Sequence, residues 1–187
     1  PGFGYRVFTL RQATGAPSPR VVTTNEGDAG VVLENEYLRA IVARDTGLVT
    51  SLVDKRRDVE TIAAGGAGNA MEIWWETRPG RSAWTLGRAD THDRLDKAES
   101  VRLVESGPGR AVMEVIRKFG ASTITQQIVM NAGMDRLDLP TWVDWQEVGV
   151  GKELTPLLRM AVEAKGEGQT ATYEIPFAAI SRPVPLG

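Results

Sequence analysis

From Arg110 to Glu147 the chain reads RAVMEVIRKFGASTITQQIVMNAGMDRLDLPTWVDWQE, and its apolar residues recur at every second position rather than every third or fourth. Ile124, Ile128 and Met130 share one parity, as do Leu137, Leu139, Val143 and Trp145. A period of two is the repeat of a strand with one face turned to a core, so the stretch predicts three successive antiparallel strands. Between them, Asn131 to Asp135 supplies Asn, Gly and Asp, which accept positive φ or bond their own backbone, and a hairpin follows. Asp144 and Trp145 have opposite parity and point to opposite faces. Trp145 is expected in the core, with Asp144 and Glu147 in structural hydrogen bonds.

The rest of the chain continues the pattern. Pro1 to Leu10 alternates enough for a short strand, and Arg11 to Gly30 is rich in Gly, Pro, Ser and Thr, a linker with at most a brief strand at Val21 to Thr24. The main domain is expected over residues 31–187. Val31 to Ala43 reads as one strand, Asp45-Thr46-Gly47 as a turn and Leu48 to Val53 as the return. Asp54 to Asp58 is a mixed charge run, read as a solvated tip. Val59 to Ala64 fits a strand end or one helical turn. Glu99 to Glu105 is a further strand, turned by Ser106 to Gly109 into the central stretch. Leu154 to Glu163 suits a helix through Leu157, Leu158 and Ala161, or a strand through Leu158, Met160 and Val162; Pro156 near its start favours the strand. Thr170 to Phe177 is the last strand, with Ala171, Tyr173, Ile175 and Phe177 on one side. The tail from Ser181 has no cap, turn or closing strand, so the domain is expected to be cut short within a longer protein. The fold class is therefore all-β and antiparallel, with few or no helices.

Several function classes fall away on composition. Lys and Arg number 22 against 24 Asp and Glu, a net charge of −2, so no general field draws phosphate backbones or anionic lipid. Nucleic acid and membrane are not expected partners. There is no cysteine, which removes disulfides, thiolate metal sites and a cysteine nucleophile, and fits a cytoplasmic setting. Arg outnumbers Lys, and Ala and Gly are common, which points to a bacterial source. His92 is the one histidine, lying beside Asp90 and Asp93; a transition-metal site usually takes several His or Cys ligands, so a surface histidine is the default. No Gly-x-Ser-x-Gly elbow accompanies it for nucleophilic catalysis. Gly65 to Asn69 lacks the strand and helix of a phosphate-binding loop and reads as a loop where backbone approaches backbone.

Met71 to Gly87 is the chemically densest segment, with Trp74, Trp75 and Trp84 interleaved with Glu72, Glu76, Arg78 and Arg81. Two readings stay open. The tryptophans are half-buried in a sandwich corner with their indole N–H groups bonded, or they form an aromatic wall for a sugar ring.

Leu33-Glu34-Asn35-Glu36-Tyr37-Leu38-Arg39, Thr46 to Leu52, Gly68-Asn69, Val104 to Pro108, Ser122 to Gln126, Val143 to Glu147, Tyr173 to Phe177 and Ser181-Arg182-Pro183, in that order and spacing, resemble the C-terminal region of the α-mannosidases of glycoside hydrolase family 38. Gly4-Tyr5-Arg6-Val7 is similar to a strand of the part preceding it. The resemblance implies an antiparallel β-sandwich of the galactose-mutarotase-like, supersandwich type, packed beside a separate catalytic domain. In that family the catalytic domain carries zinc, a nucleophilic Asp and a general acid for retaining hydrolysis of α-mannosides. None of those positions maps here, so the chain is expected to hold no catalytic residue and no cofactor of its own. Where many members have an Asp-rich Trp-Asp-Ala-Trp-Asp element, this chain has Arg81-Ser82-Ala83-Trp84-Thr85. By the same resemblance Asn69, Trp74, Trp75, Glu76 and Trp84 are candidates for a surface facing the catalytic domain or its substrate. An independent carbohydrate-binding module is the second expectation. A free-standing epimerase, which needs His and Glu pairs, is a weaker third.

Overall fold

A computed structural model describes residues 5, 7, 9, 22–27, 30–77, 87–149, 154–166 and 170–183, and among these every regular element is a strand. They run β1 (Thr23–Gly27), β2 (Gly30–Glu34), β3 (Leu38–Val42), β4 (Val49–Asp54), β5 (Val59–Glu60), β6 (Ala70–Thr77), β7 (Ala89–Arg94) and β8 (Ser100–Ser106). They continue as β9 (Arg110–Phe119), β10 (Ser122–Asn131), β11 (Leu137–Asp138), β12 (Thr141–Asp144), β13 (Leu154–Ala161), β14 (Thr170–Ile175) and β15 (Ala178–Pro183). β1 to β5 form one sheet in chain order; β11, β10, β9 and β8 form a second, with β12 also on β10. β13, β6 and β7 make a third, and β14 with β15 a two-stranded fourth.

β9 and β10 pair along their whole length, from Ser122 opposite Phe119 to Asn131 opposite Arg110. This register puts Ala111, Met113, Val115 and Arg117 on the same face as Ile124, Gln126, Ile128 and Met130, and all eight are buried. Ala111, Met113, Val115, Ile128 and Met130 share one core with Val31, Leu33, Leu38, Ala40, Val42 and Val49 of the first sheet. Two sheets thus close on each other as a sandwich. Gly47, at φ 66°, lets the β3–β4 turn approach this core; a Cβ there would lie 2.5 Å from both methyl carbons of Val115. At the far end of β9, Trp75 meets the ring of Phe119 edge-on at 6.0 Å, and Phe119 stacks on Trp145 at 6.0 Å.

The hairpin at Asn131–Asp135 and the strand at Leu154 are as the periodicity predicts. Pro156 is accommodated because β13 pairs on one side only and needs no second row of donors. Val59 opens a short strand rather than a helical turn.

Other expectations change. Val31 to Ala43 is not one strand, because the Asn35 side chain accepts from the N–H groups of Tyr37 (2.9 Å) and Leu38 (2.8 Å) and reverses the chain. The same amide donates to the carbonyls of Asn131 and Met134, both at 2.8 Å, fastening this turn to the β10–β11 turn. The sandwich includes part of the expected linker: Val22 is buried in the core, its N–H bonded to the Pro108 carbonyl, and β1 pairs with β2. Tyr5, Val7 and Thr9 are exposed and in no strand, while the rest of the expected first strand and residues 11–21 lie outside the described residues. Beyond Phe177 the chain does not trail off but returns as β15. Trp145 is only half-buried and Val143 is exposed, because β12 is an outermost strand. Glu147 does take the structural role expected, its Oε1 accepting from Ala121 N–H, Ser122 N–H and Ser122 Oγ. Asp144 accepts from the Gln146 side-chain amide.

Candidate functional site

β6 is the central strand of its sheet, so each outward side chain on it meets a neighbour from β7 on one side and β13 on the other. Trp74 lies opposite His92 and next to the rung of Arg159. The imidazole stacks on the indole at 4.4 Å with 15° between planes, and the Arg159 guanidinium lies 4.6 Å from the ring centroid. Because the two partners come from strands flanking β6 on opposite sides, both ring faces are occupied. The indole N–H donates to Glu72 Oε2 at 2.7 Å. Trp75 points the other way, donates to Asp93 Oδ2 at 2.7 Å and packs on Phe119. Both tryptophans are half-buried with their N–H groups bonded, which is the sandwich-corner arrangement rather than an open aromatic wall.

The other candidates separate from this pair. Asn69 is 0% exposed and does not reach the surface. Its Oδ1 accepts from Val49 N–H at 2.7 Å, and its Nδ2 donates to the Gly47 carbonyl at 3.0 Å and Gln126 Oε1 at 2.9 Å. A short amide with two acceptor and two donor valences suits a junction of three segments, and burial excludes it from a binding face. Glu76 is buried too and accepts from the Gly87 N–H. Trp84 lies outside the described residues. His92 is exposed, as a surface histidine should be, but the stack on Trp74 follows from cross-strand pairing with β7, a strand without an apolar period to reveal it.

Arg117 gave no sequence signal beyond its parity. It is fully buried at the end of the inner face of β9, with Nε bonded to the Leu95 carbonyl at 2.9 Å and Nη2 to the Thr46 carbonyl at 2.6 Å. Burial lowers its pKa, partly opposed by the charge of Asp96. The guanidinium thus ties the β3–β4 turn to the segment after β7, with no carboxylate bonded to it among the described residues.

A cleft of about 400 Å³ opens between the β4–β5 edge of the first sheet and β11 of the second. Leu52, Ile62, Leu137 and Val162 contribute to its apolar lining, with Asp54, Arg56 and Asp135 also at the cleft. Arg56 lies 3.4 Å from Asp54 and 3.1 Å from Asp135. Asp54 is held below the usual carboxylate range, chiefly by the hydrogen bond from Arg56 N–H. A carboxyl so held is ionised at neutral pH and cannot donate the proton a general acid must supply.

Two further carboxylates are engaged in structure: Glu163 takes Arg94 at 2.9 Å and the Ala67 N–H at 2.6 Å, and Glu60 takes Ser51 Oγ at 2.6 Å. Among the described residues no group of three or more His, Asp or Glu side chains is arranged to hold a metal ion.

Residues 33–185 match the family described as "Glycosyl hydrolases family 38 C-terminal domain". A comparison with curated proteins returns no match.

Proposed function

The chain belongs to the glycosyl hydrolases family 38 C-terminal domain family, and from that premise we propose that it is the non-catalytic β-sandwich supporting a separate hydrolase domain in an α-mannosidase-like parent. The observation that carries this reading is the engagement of the aromatic and acidic groups of β6 within their own sheet. Trp74 has no free ring face, and Glu72 and Glu76 hold an indole and a backbone N–H. A retaining site needs two carboxyl groups about 5 to 5.5 Å apart across the scissile bond, together with the means to raise one pKa. On this reading zinc, nucleophile and general acid belong to the hydrolase domain. The outer side of β6, centred on Trp74 with His92 and Arg159, is the side turned towards that domain, and Trp84 follows it in the chain.

A second reading, an independent carbohydrate-binding module, draws support from Trp142. It is 56% exposed on β12, an aromatic ring of the kind on which a sugar stacks.

The test pairs two measurements. The parent's hydrolase domain, prepared with and without this sandwich, is assayed on an aryl α-mannoside and melted; loss of stability and turnover without the sandwich is expected, and indifference to it overturns the supporting role. Calorimetric titration of this chain with methyl α-mannoside and α-linked mannobioses is expected to give no heat of binding. Millimolar or tighter binding, abolished by Trp142→Ala, would select the module instead.

A further inference from the structure

β14 and β15 make a sheet of their own, and a hairpin of two strands is marginal in water unless a third strand or another surface covers one face. Its register sorts the residues cleanly. Ala171, Tyr173 and Ile175 share one face with Ala178, Ile180 and Arg182, while Thr172 and Ser181 bond across the other beside Glu174. The apolar face is uncovered: Tyr173 is 54% exposed, Ile175 40%, and Phe177 at the turn is fully exposed, with φ 64°, where bulky residues rarely sit. The cleft at the sandwich edge is the reverse of this hairpin, a concave aliphatic surface beside which Asp135 is more than half exposed. None of the described cleft-lining residues belongs to the hairpin.

We infer that two copies of this chain associate by reciprocal exchange, the β14–β15 hairpin of each laying its apolar face into the cleft of the other. Two features with no partner among the described residues are then each other's partner. The one charge on the apolar face, Arg182, meets an acid at the cleft rim, for which Asp135 is the exposed choice, sharing its carboxylate with Arg56 at 3.1 Å. A second copy is favoured over the chain's own hairpin because Ala164 lines the cleft and β14 begins six residues later. The hairpin thus leaves from the cleft's own margin and would have to reverse at its root to enter. Two such insertions, each covering a Tyr and a Phe of roughly 150–250 Å², close a two-fold assembly of ordinary interface size.

Sedimentation of this chain over roughly 1 to 100 µM is expected to show a reversible monomer–dimer equilibrium. Phe177→Asp on the hairpin and Val162→Asp in the cleft should each weaken it roughly thirtyfold or more. Both side chains are exposed, so circular dichroism and melting should stay as in the parent chain. Mixing the two variants restores one sound hairpin and one sound cleft within a single pair, and association should return in the mixture alone. A chain that stays monomeric throughout overturns the proposal, as does a variant that dimerises normally. So does a mixture no better than its components; normal dimerisation of Val162→Asp alone would mean hairpin on hairpin.

Discussion

The Asn69 side chain donates to Gln126 Oε1 at 2.9 Å across the interior, joining the loop before β6 to the inner face of β10. Gln126 in turn donates to Thr141 Oγ1 at 3.2 Å, so the polar path continues to β12. Asn69→Ala strips partners from Val49 N–H, the Gly47 carbonyl and Gln126 together, and an expected loss of about 2–4 kcal/mol follows from buried groups left unbonded. Urea unfolding measures it. Asn69→Asp should cost at least as much, since it removes both donors and buries a charge.

Arg117 holds two carbonyls that no neutral side chain of similar length can reach. Arg117→Met keeps most of the volume yet leaves both unbonded, and about 1–3 kcal/mol for each such group sets the scale of the loss. Arg117→Lys should recover only part, because an ammonium lacks the planar fork. Thermal melting of the three proteins side by side gives the order.

Gly47→Ala places a methyl group on the Val115 side chain in a backbone conformation that suits glycine. Overpacking alone costs about 1–3 kcal/mol, and the positive φ adds to it. The denaturation midpoint should drop with an unchanged m-value.

Glu60 gives the acid limb of stability a specific contributor. Burial works to raise its carboxyl pKa, but hydrogen bonds from Ser51 Oγ and from the N–H groups of Ile62, Leu52 and Thr61 together outweigh it and hold it below the ordinary value of 4.5. A carboxyl lowered on folding contributes stability that is present above its unfolded pKa and is lost as pH falls through the folded one. Glu60→Gln should therefore lower the melting temperature near neutrality and flatten its fall below about pH 4.5. An unchanged acid slope in the variant would exclude this assignment.

His92→Ala and Arg159→Ala each open one face of Trp74. Stacked and cation–π contacts at exposed sites are worth about 0.5–1.5 kcal/mol, so stability should fall only slightly. Tryptophan emission should become more accessible to acrylamide in either variant and most in the double one.

The strands with an apolar face were legible because a period of two leaves a mark in the sequence: Ile124, Ile128 and Met130 are buried together as their parity requires. What stayed hidden has no period. Asn35 breaks an apparently continuous strand by bonding two N–H groups just ahead of it, a local competition that alternation cannot display. β7 is made of Ala, Asp, Thr, His, Asp and Arg and is a strand only because β6 pairs with it. β1 overlaps the brief strand allowed at Val21 to Thr24, but the Gly- and Pro-rich composition around it hid that it and Val22 join the sandwich. For the candidate site, the family resemblance grouped Asn69 with Trp74 and Trp75, but their depths depend on which sheet each faces. Asn69 points inward to Gln126, while Trp74 meets residues contributed by β7 and β13, one on each side.

β6 and β13 pair from Thr77 opposite Leu154 to Ala70 opposite Ala161, although all of β7 to β12 lies between them in the chain. The other ladders join strands that are consecutive or nearly so. Closing so long a loop carries an entropy cost that the hairpins avoid, so this ladder belongs to the late side of the folding barrier. It is also the ladder whose amides should exchange before those of β9 and β10 when the native protein opens, and the Trp74 face on β6 would loosen with it.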